Sequence, residues 1–245
     1  MRLRQFGPVL LVVLVVLAGC SGSGGQPYQT PLNSTQVEQS HTQALEESGS
    51  FTYRLTTNTS FGDEQASSSL SGGTTVKVDT ESDALAVNTT TALGNLSVYQ
   101  FGNGTAFLRL TMGDRTQYAR GDDGRYNASQ FTHLGLGNLT ESVNFTHNGT
   151  ATVEGDTVHE YVAHENQTLS ALAGTNTTMG GSDANVTSTL RVYVRSDGLV
   201  KKYRYHVAYE GVGTMDVTGR YTDLGSTDVS PPPWLDDARA NTTAS

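Results

Sequence analysis

Leu190-Arg191-Val192-Tyr193-Val194-Arg195, followed by Ser196-Asp197-Gly198-Leu199-Val200 and Lys201-Lys202-Tyr203-Arg204-Tyr205-His206-Val207-Ala208-Tyr209, is the stretch that decides the fold class. Leu190, Val192 and Val194 point one way and Arg191, Tyr193 and Arg195 the other, the period of two of a half-buried strand. Asp197-Gly198 marks a turn. Past it Tyr203, Tyr205, Val207 and Tyr209 share one face, with Lys202, Arg204, His206 and Glu210 opposite. Met215, Val217 and Tyr221 repeat the alternation. Strands with one wet and one apolar face, joined by short turns, predict an antiparallel sheet covered on a single side.

The same period extends towards the N-terminus. Phe51, Tyr53 and Leu55 alternate with Thr52, Arg54 and Thr56; Val76 with Val78, Leu85 with Val87, and Ala106, Leu108 and Leu110 continue it. Asn103-Gly104 is expected to turn a hairpin, because a two-residue turn needs positive φ at both positions. Asp123-Gly124, Asn148-Gly149, Gly155-Asp156 and Asp197-Gly198 mark further turns. One helix precedes the strands: Ser34 or Thr35 can cap it, and Val37, His41, Ala44 and Leu45 form its apolar stripe before Ser48-Gly49. Residues 128–146 are read as a short helix or loop, and 165–188 as a lid or surface loop. The class is α+β, mostly β.

Before the helix, Arg2 and Arg4 precede the apolar run Val9 to Leu17, then Ala18-Gly19-Cys20 and Ser21-Gly22-Ser23-Gly24-Gly25. This order resembles a lipoprotein signal peptide with its lipobox, which is cleaved before a cysteine that carries lipid on its sulfur. The apolar run is too short to span a bilayer, which takes ~20 residues. The expected organisation is a signal peptide at 1–19, a flexible linker at 20–33, one domain at 34–235 and a disordered tail at 236–245. A lipidated Cys20 would place the domain on the extracellular face of the cell membrane. As the only cysteine, it leaves no internal disulfide.

Charge narrows the partners. The chain carries 15 Lys and Arg against 24 Asp and Glu, a net charge of −9. That balance offers no basic footprint for nucleic acid. All 13 asparagines (Asn33, Asn58, Asn88, Asn95, Asn103, Asn127, Asn138, Asn144, Asn148, Asn166, Asn176, Asn185 and Asn241) are followed two positions on by Ser or Thr. Each is an N-glycosylation acceptor sequence, and most should lie on turns and outward faces.

The chemistry-bearing residues are sparse. His159 and His164 are five apart on a predicted strand, which sends their side chains to opposite faces, so no metal site follows. No serine sits in a Gly-x-Ser-x-Gly elbow. Arg120-Gly121-Asp122 reads as part of a turn, and Asp122-Asp123 and Asp236-Asp237 lack the ligand spacing of a calcium loop. Neither catalysis nor a cofactor is expected. What remains is the apolar, tyrosine-rich faces. Phe51, Tyr53 and Leu55, with Tyr203, Tyr205, Val207 and Tyr209, fill a core or line a groove for an apolar ligand.

The layout over 35–235 resembles the LolA/LppX-like lipoprotein superfamily. The resemblance rests on the lipobox and spacer, one helix, Gly49-Ser50-Phe51-Thr52-Tyr53 entering a sheet, and Ser196-Asp197-Gly198-Leu199-Val200 turning into a long strand. Tyr221-Thr222-Asp223-Leu224-Gly225 and Val229-Ser230-Pro231-Pro232-Pro233 complete it. It implies a curved half-barrel sheet with the N-terminal helix and short helices or lid loops on its concave side, and a lipid or other apolar ligand held there. The acidic, lysine-poor composition also resembles uncharacterised cell-surface lipoproteins of haloarchaea. The expected function is a lipid-anchored, glycosylated binding protein, with an envelope interaction or sensor module of filled core as the alternative.

Overall fold

The computed structural model describes residues 32–62, 68–121, 127–134, 145–165 and 186–242. Helix α1 (Ser34–Glu47) precedes six strands: β1 (Ser50–Phe61), β2 (Ser68–Asp79), β3 (Leu85–Thr91), β4 (Gly94–Gln100), β5 (Ala106–Met112) and β6 (Arg115–Gly121). After α2 (Ser129–Thr132) come β7 (Thr146–Val153), β8 (Asp156–Glu165), β9 (Val186–Arg195), β10 (Val200–Tyr209) and β11 (Gly213–Thr222), then helix α3 (Leu235–Asn241). All eleven strands join one antiparallel sheet in the order β6-β5-β4-β3-β2-β1-β11-β10-β9-β8-β7. It is open and curved, a half-barrel. Two meanders are thus sewn together by one long-range seam, where β1 pairs with β11 from Thr52↔Thr222 to Phe61↔Gly213.

Helix α1 crosses the strands on the concave side. Val37, His41 and Leu45, four apart and therefore stacked on one face, are fully buried. Val37 joins the core of β8, β9 and β10 (Tyr161, Leu190, Val192, Val194, Val200, Tyr205 and Val207). Leu45 joins that of β1 to β4 (Phe51, Val76, Val78, Leu85, Val87 and Val98). Each such side chain withdrawn from water contributes about 1.5–3 kcal/mol. The cap differs from the expected Ser34 or Thr35: Asn33 holds that position, its Oδ1 accepting from Gln36 N at 3.0 Å. Helix α2 is docked onto α1, with Thr42 Oγ1 donating to Thr132 O and Leu134 N donating to Glu38 Oε1 at 2.7 Å. Residues 135–144 and 166–185, the bulk of the two expected loops, lie outside the described residues, as does Asp123-Gly124.

The outer face is covered too, at one place. After β11 the chain crosses it: Thr227 Oγ1 bonds Thr52 Oγ1 at 2.8 Å, Lys77 Nζ donates to Asp228 O, and the Tyr99 hydroxyl donates to Val229 O. Trp234, Leu235 and Ala238 then pack on Tyr99 and Phe107 as a separate core. Residues 236–241, expected within a disordered tail at 236–245, therefore belong to a docked helix, and the sheet is not covered on a single side.

Three turn expectations also change. The turn expected at Gly155-Asp156 falls on Glu154-Gly155, both with positive φ as a two-residue hairpin requires, and Asp156 opens β8. At Asn103-Gly104 only Gly104 does, and Asn103 instead accepts Thr105 N through its side chain. Asn148-Gly149 is no turn: it lies inside β7, where the register with β8 shifts between His147 and Thr150, a bulge.

Candidate functional site

The register places β1 and β10 on either side of β11. Tyr53 is opposite Tyr221 and Leu55 opposite Gly219; across the other edge Gly219 faces Tyr203 and Val217 faces Tyr205. Because Gly219 has no side chain, the Tyr203 ring lies flat over β11, where a β-carbon would fall 2.3 Å from its Cε1. Lying flat carries its hydroxyl to that of Tyr53, 2.6 Å away. Burial, the neighbouring Tyr203 and Tyr221, and the bond to Tyr203 all raise the Tyr53 pKa. Burial raises Tyr203 likewise. Both stay neutral.

Tyr221 forms the wall behind them. Its ring lies 4.9 Å from Tyr53, 5.9 Å from Phe51 and 4.6 Å from His41, the last edge-on, and its hydroxyl donates to Phe131 O. His41 accepts Val200 N at Nδ1, and its buried Nε2 has no partner. Burial, with a smaller contribution from His133, holds its pKa down at about 3, so the ring is neutral.

Burial on this face grades along the strands. Under α1 and α2, Phe51, Val76, Val78, Leu85 and Leu199 are fully buried. Further along, Leu55, Thr57 and Thr59 of β1, Met215 and Val217 of β11, Thr74, Thr89 and Leu96 are half-buried, and Leu70 is 55 % exposed. Hydroxyls interrupt the hydrocarbon, as where Thr74 Oγ1 bonds Thr89 Oγ1 at 3.0 Å. An apolar floor ending at a wall of tyrosines can hold hydrocarbon against ring faces while hydroxyls meet a polar group.

The structure brings the seven sequence-derived lining residues to one face but not into one role. Phe51 lies in the core beneath α1, and Tyr205 and Val207 lie in the β8–β10 core, where burial pushes the Tyr205 hydroxyl up to about 12. Tyr53, Leu55, Tyr203 and Tyr209 are half-buried. Sequence reading missed Gly219, Tyr221's role as wall, and His41 as its partner. The signal for Gly219 was its place between Val217 and Tyr221 in a period-two run.

Four of the histidines, His147, His159, His164 and His206, are spread over the sheet. His159 Nδ1 meets His147 Nε2 at 3.3 Å across β7 and β8, while His164, on the other face of β8, meets Thr189 Oγ1. Among the described residues, no three His, Cys, Asp or Glu side chains converge as for a metal, and no helix is long and apolar enough to cross a membrane. Cys20, Asp122 and Asp123 lie outside the described residues.

The model of a family described as of unknown function, DUF7537, matches residues 24–238. The chain belongs to DUF7537. Among solved structures, this DUF7537 member is similar to LprF from Mycobacterium bovis, at 13 % identity and TM-score 0.44 over 82 % of this chain and 96 % of that one. It is also similar to the lipoprotein LppX of Mycobacterium tuberculosis, at 11 % identity and TM-score 0.44 over 82 % of this chain and 100 % of that one. A third is a LolA superfamily protein from Nitrosomonas europaea, at 11 % identity and TM-score 0.28, covering 81 % and 94 %. No curated protein matches.

The outer face of this DUF7537 fold sets basic side chains in register across its strands. Arg54 of β1 is opposite Arg220 of β11, Arg220 opposite Lys202 of β10, and Arg204 opposite Arg191 of β9. Glu160 neutralises Arg191 at 2.8 Å and accepts the Tyr193 hydroxyl. Lys202 lies 5.3 Å from the Tyr193 ring, and burial, then Arg220 and Arg204, hold its pKa below the ordinary value. An acidic chain thus gathers a row of cations. Asn58, Asn88 and Asn95 also lie on this face, and all eight described acceptor asparagines are exposed.

Proposed function

We propose that this DUF7537 chain is an extracytoplasmic binding protein, tethered by lipid on Cys20 and glycosylated on its outer face, that holds an apolar ligand on the concave face. It performs no chemistry on that ligand. The observation that carries the reading is the change along one face from fully buried under α1 to half-buried apolar side chains at Leu55, Val217 and Met215. The resemblance of the N-terminal sequence to a lipobox and the concave half-barrel support the same reading.

Native mass spectrometry of the full chain after gentle extraction, with N-phenyl-1-naphthylamine fluorescence as a second readout, tests it. Co-purifying lipid, or saturable reporter binding weakened by Val217→Glu, is the expected result. Neither lipid nor reporter binding would leave a filled-core interaction module instead. Cys20→Ser tests the tether separately: the protein should be released or left uncleaved, and firm attachment after normal processing would contradict it.

A further inference from the structure

The Tyr53–Tyr203 pair has one hydrogen more than it uses. Two hydroxyls share a single bond at 2.6 Å, so one donates and the acceptor keeps its own hydrogen. Among the described residues neither hydroxyl has another partner, and both residues are half-buried, where an unmade hydrogen bond carries a cost. Tyr221 does not take this hydrogen up: among the described residues its hydroxyl bonds Phe131 O and neither of the pair. Behind Tyr221, the neutral His41 presents a second hydrogen without an acceptor: Nδ1 takes Val200 N–H, which leaves the ring hydrogen on the unpartnered Nε2. Among the described residues, this end of the concave face therefore holds hydrogens that its acceptors do not take up.

From this surplus, and resting on the proposed apolar-ligand reading, we infer that the ligand carries a neutral hydrogen-bond acceptor, an ester or amide carbonyl, which takes the free hydroxyl hydrogen of the Tyr53–Tyr203 pair. A carboxylate fits less well. Among the described residues no arginine or lysine contacts Tyr53, Tyr203 or Tyr221, and the charge that acts on Tyr221 from α1, that of Glu38, is negative. An anion buried here would lack a counter-charge. The hydrocarbon of the ligand would then run from the tyrosine wall over Leu55, Val217 and Met215, past the threonines of β2 and β3.

The pair makes an unusual prediction for single variants. Tyr53→Phe leaves the Tyr203 hydroxyl with its hydrogen, and Tyr203→Phe leaves that of Tyr53, so each single variant keeps a donor. Only the double variant removes both. The experiment displaces N-phenyl-1-naphthylamine from the full chain with methyl tetradecanoate and with hexadecane, ligands of similar length with and without a carbonyl. The ratio of their displacement constants should be the same in wild type and both single variants. In Tyr53→Phe/Tyr203→Phe it should shift against the ester by between about two- and tenfold, the worth of one hydrogen bond. Thermal unfolding of the same proteins establishes that they are folded. A ratio unchanged in the double variant, with both ligands still bound, overturns this inference and leaves the apolar-ligand reading standing. If the reporter and both ligands fail to bind wild type, both fall.

Discussion

The Tyr203 ring occupies the space that a side chain at Gly219 would need, with its Cε1 and Cζ 2.3 and 2.4 Å from the site of a β-carbon. This one absence on β11 lets a residue of β10 reach a residue of β1 over the intervening strand. Glycine in the middle of a strand ordinarily weakens it. Here the aromatic ring covers the gap.

Gly219→Ala should therefore force the ring upright and break the 2.6 Å hydroxyl pair. The expected cost is about 1–3 kcal/mol, the usual range for overpacking, read as a lowered urea midpoint with an altered near-ultraviolet tyrosine signal. In a Tyr203→Leu background the same change should cost much less. Equal costs in the two backgrounds would show that ring and glycine are not coupled.

His41 makes stability depend on pH. Its folded pKa is about 3, set first by burial, against 6.5 for the free side chain. Between those values the unfolded chain takes up a proton that the folded chain refuses, so stability falls as pH drops from about 6.5 towards 3. The slope from this group approaches about 1.4 kcal/mol per pH unit. His41→Gln keeps an acceptor within reach of Val200 N and lacks the titration. Urea unfolding at pH 7.5, 5.5 and 4.5 should show a shallower loss in the variant. Parallel pH profiles would mean that the buried imidazole is protonated in the folded state.

How far these features were legible follows from which partners are local. Alternation in 190–209 and 51–55 assigned the faces correctly, because side-chain direction in a strand depends only on position. The meeting of Tyr53 with Tyr203 was not legible. It needs the β1–β11 seam, whose two strands lie at opposite ends of the domain, and the missing side chain at Gly219. Helix α3 was missed because Leu235 and Ala238 stand among Asp, Arg and Asn, and the surface they bury against, Tyr99 and Phe107, comes from elsewhere in the sequence. The cation row escaped a reading of net charge for the same reason: its members belong to four strands.

Side-chain amides rank the acceptor asparagines. Asn103 and Asn127 accept the backbone N–H of Thr105 and Ser129 through Oδ1, and among the described residues Nδ2, the nitrogen that carries a glycan, is uncommitted. Asn148 and Asn241 spend Nδ2 as a donor, to Glu160 Oε2 at 2.9 Å and Asp237 O at 2.8 Å. All four are exposed. Glycopeptide mass spectrometry of protein from its native surface should find Asn103 and Asn127 occupied more fully than Asn148 and Asn241, and Glu160→Gln, which weakens the Asn148 contact, should raise occupancy there. The reverse order would show that access alone governs modification.

The cation row sets a last expectation, because like charges in register oppose pairing. Arg220 faces Arg54 on one side and Lys202 on the other; among the described residues Arg54 Nη1 donates to Thr75 Oγ1, and Lys202 rests on the Tyr193 ring. Directly opposed like charges cost up to about 1 kcal/mol at an exposed position. Arg220→Gln should consequently raise stability at 0.05 M salt, and the gain should shrink at 1 M, where the screening length falls to about 3 Å. It should also let the Lys202 pKa rise, since Arg220 is the largest of the charges that depress it after burial. A loss of stability that is the same at both salt concentrations would mean instead that the Arg220 stem matters for packing on β11 and its charge does not.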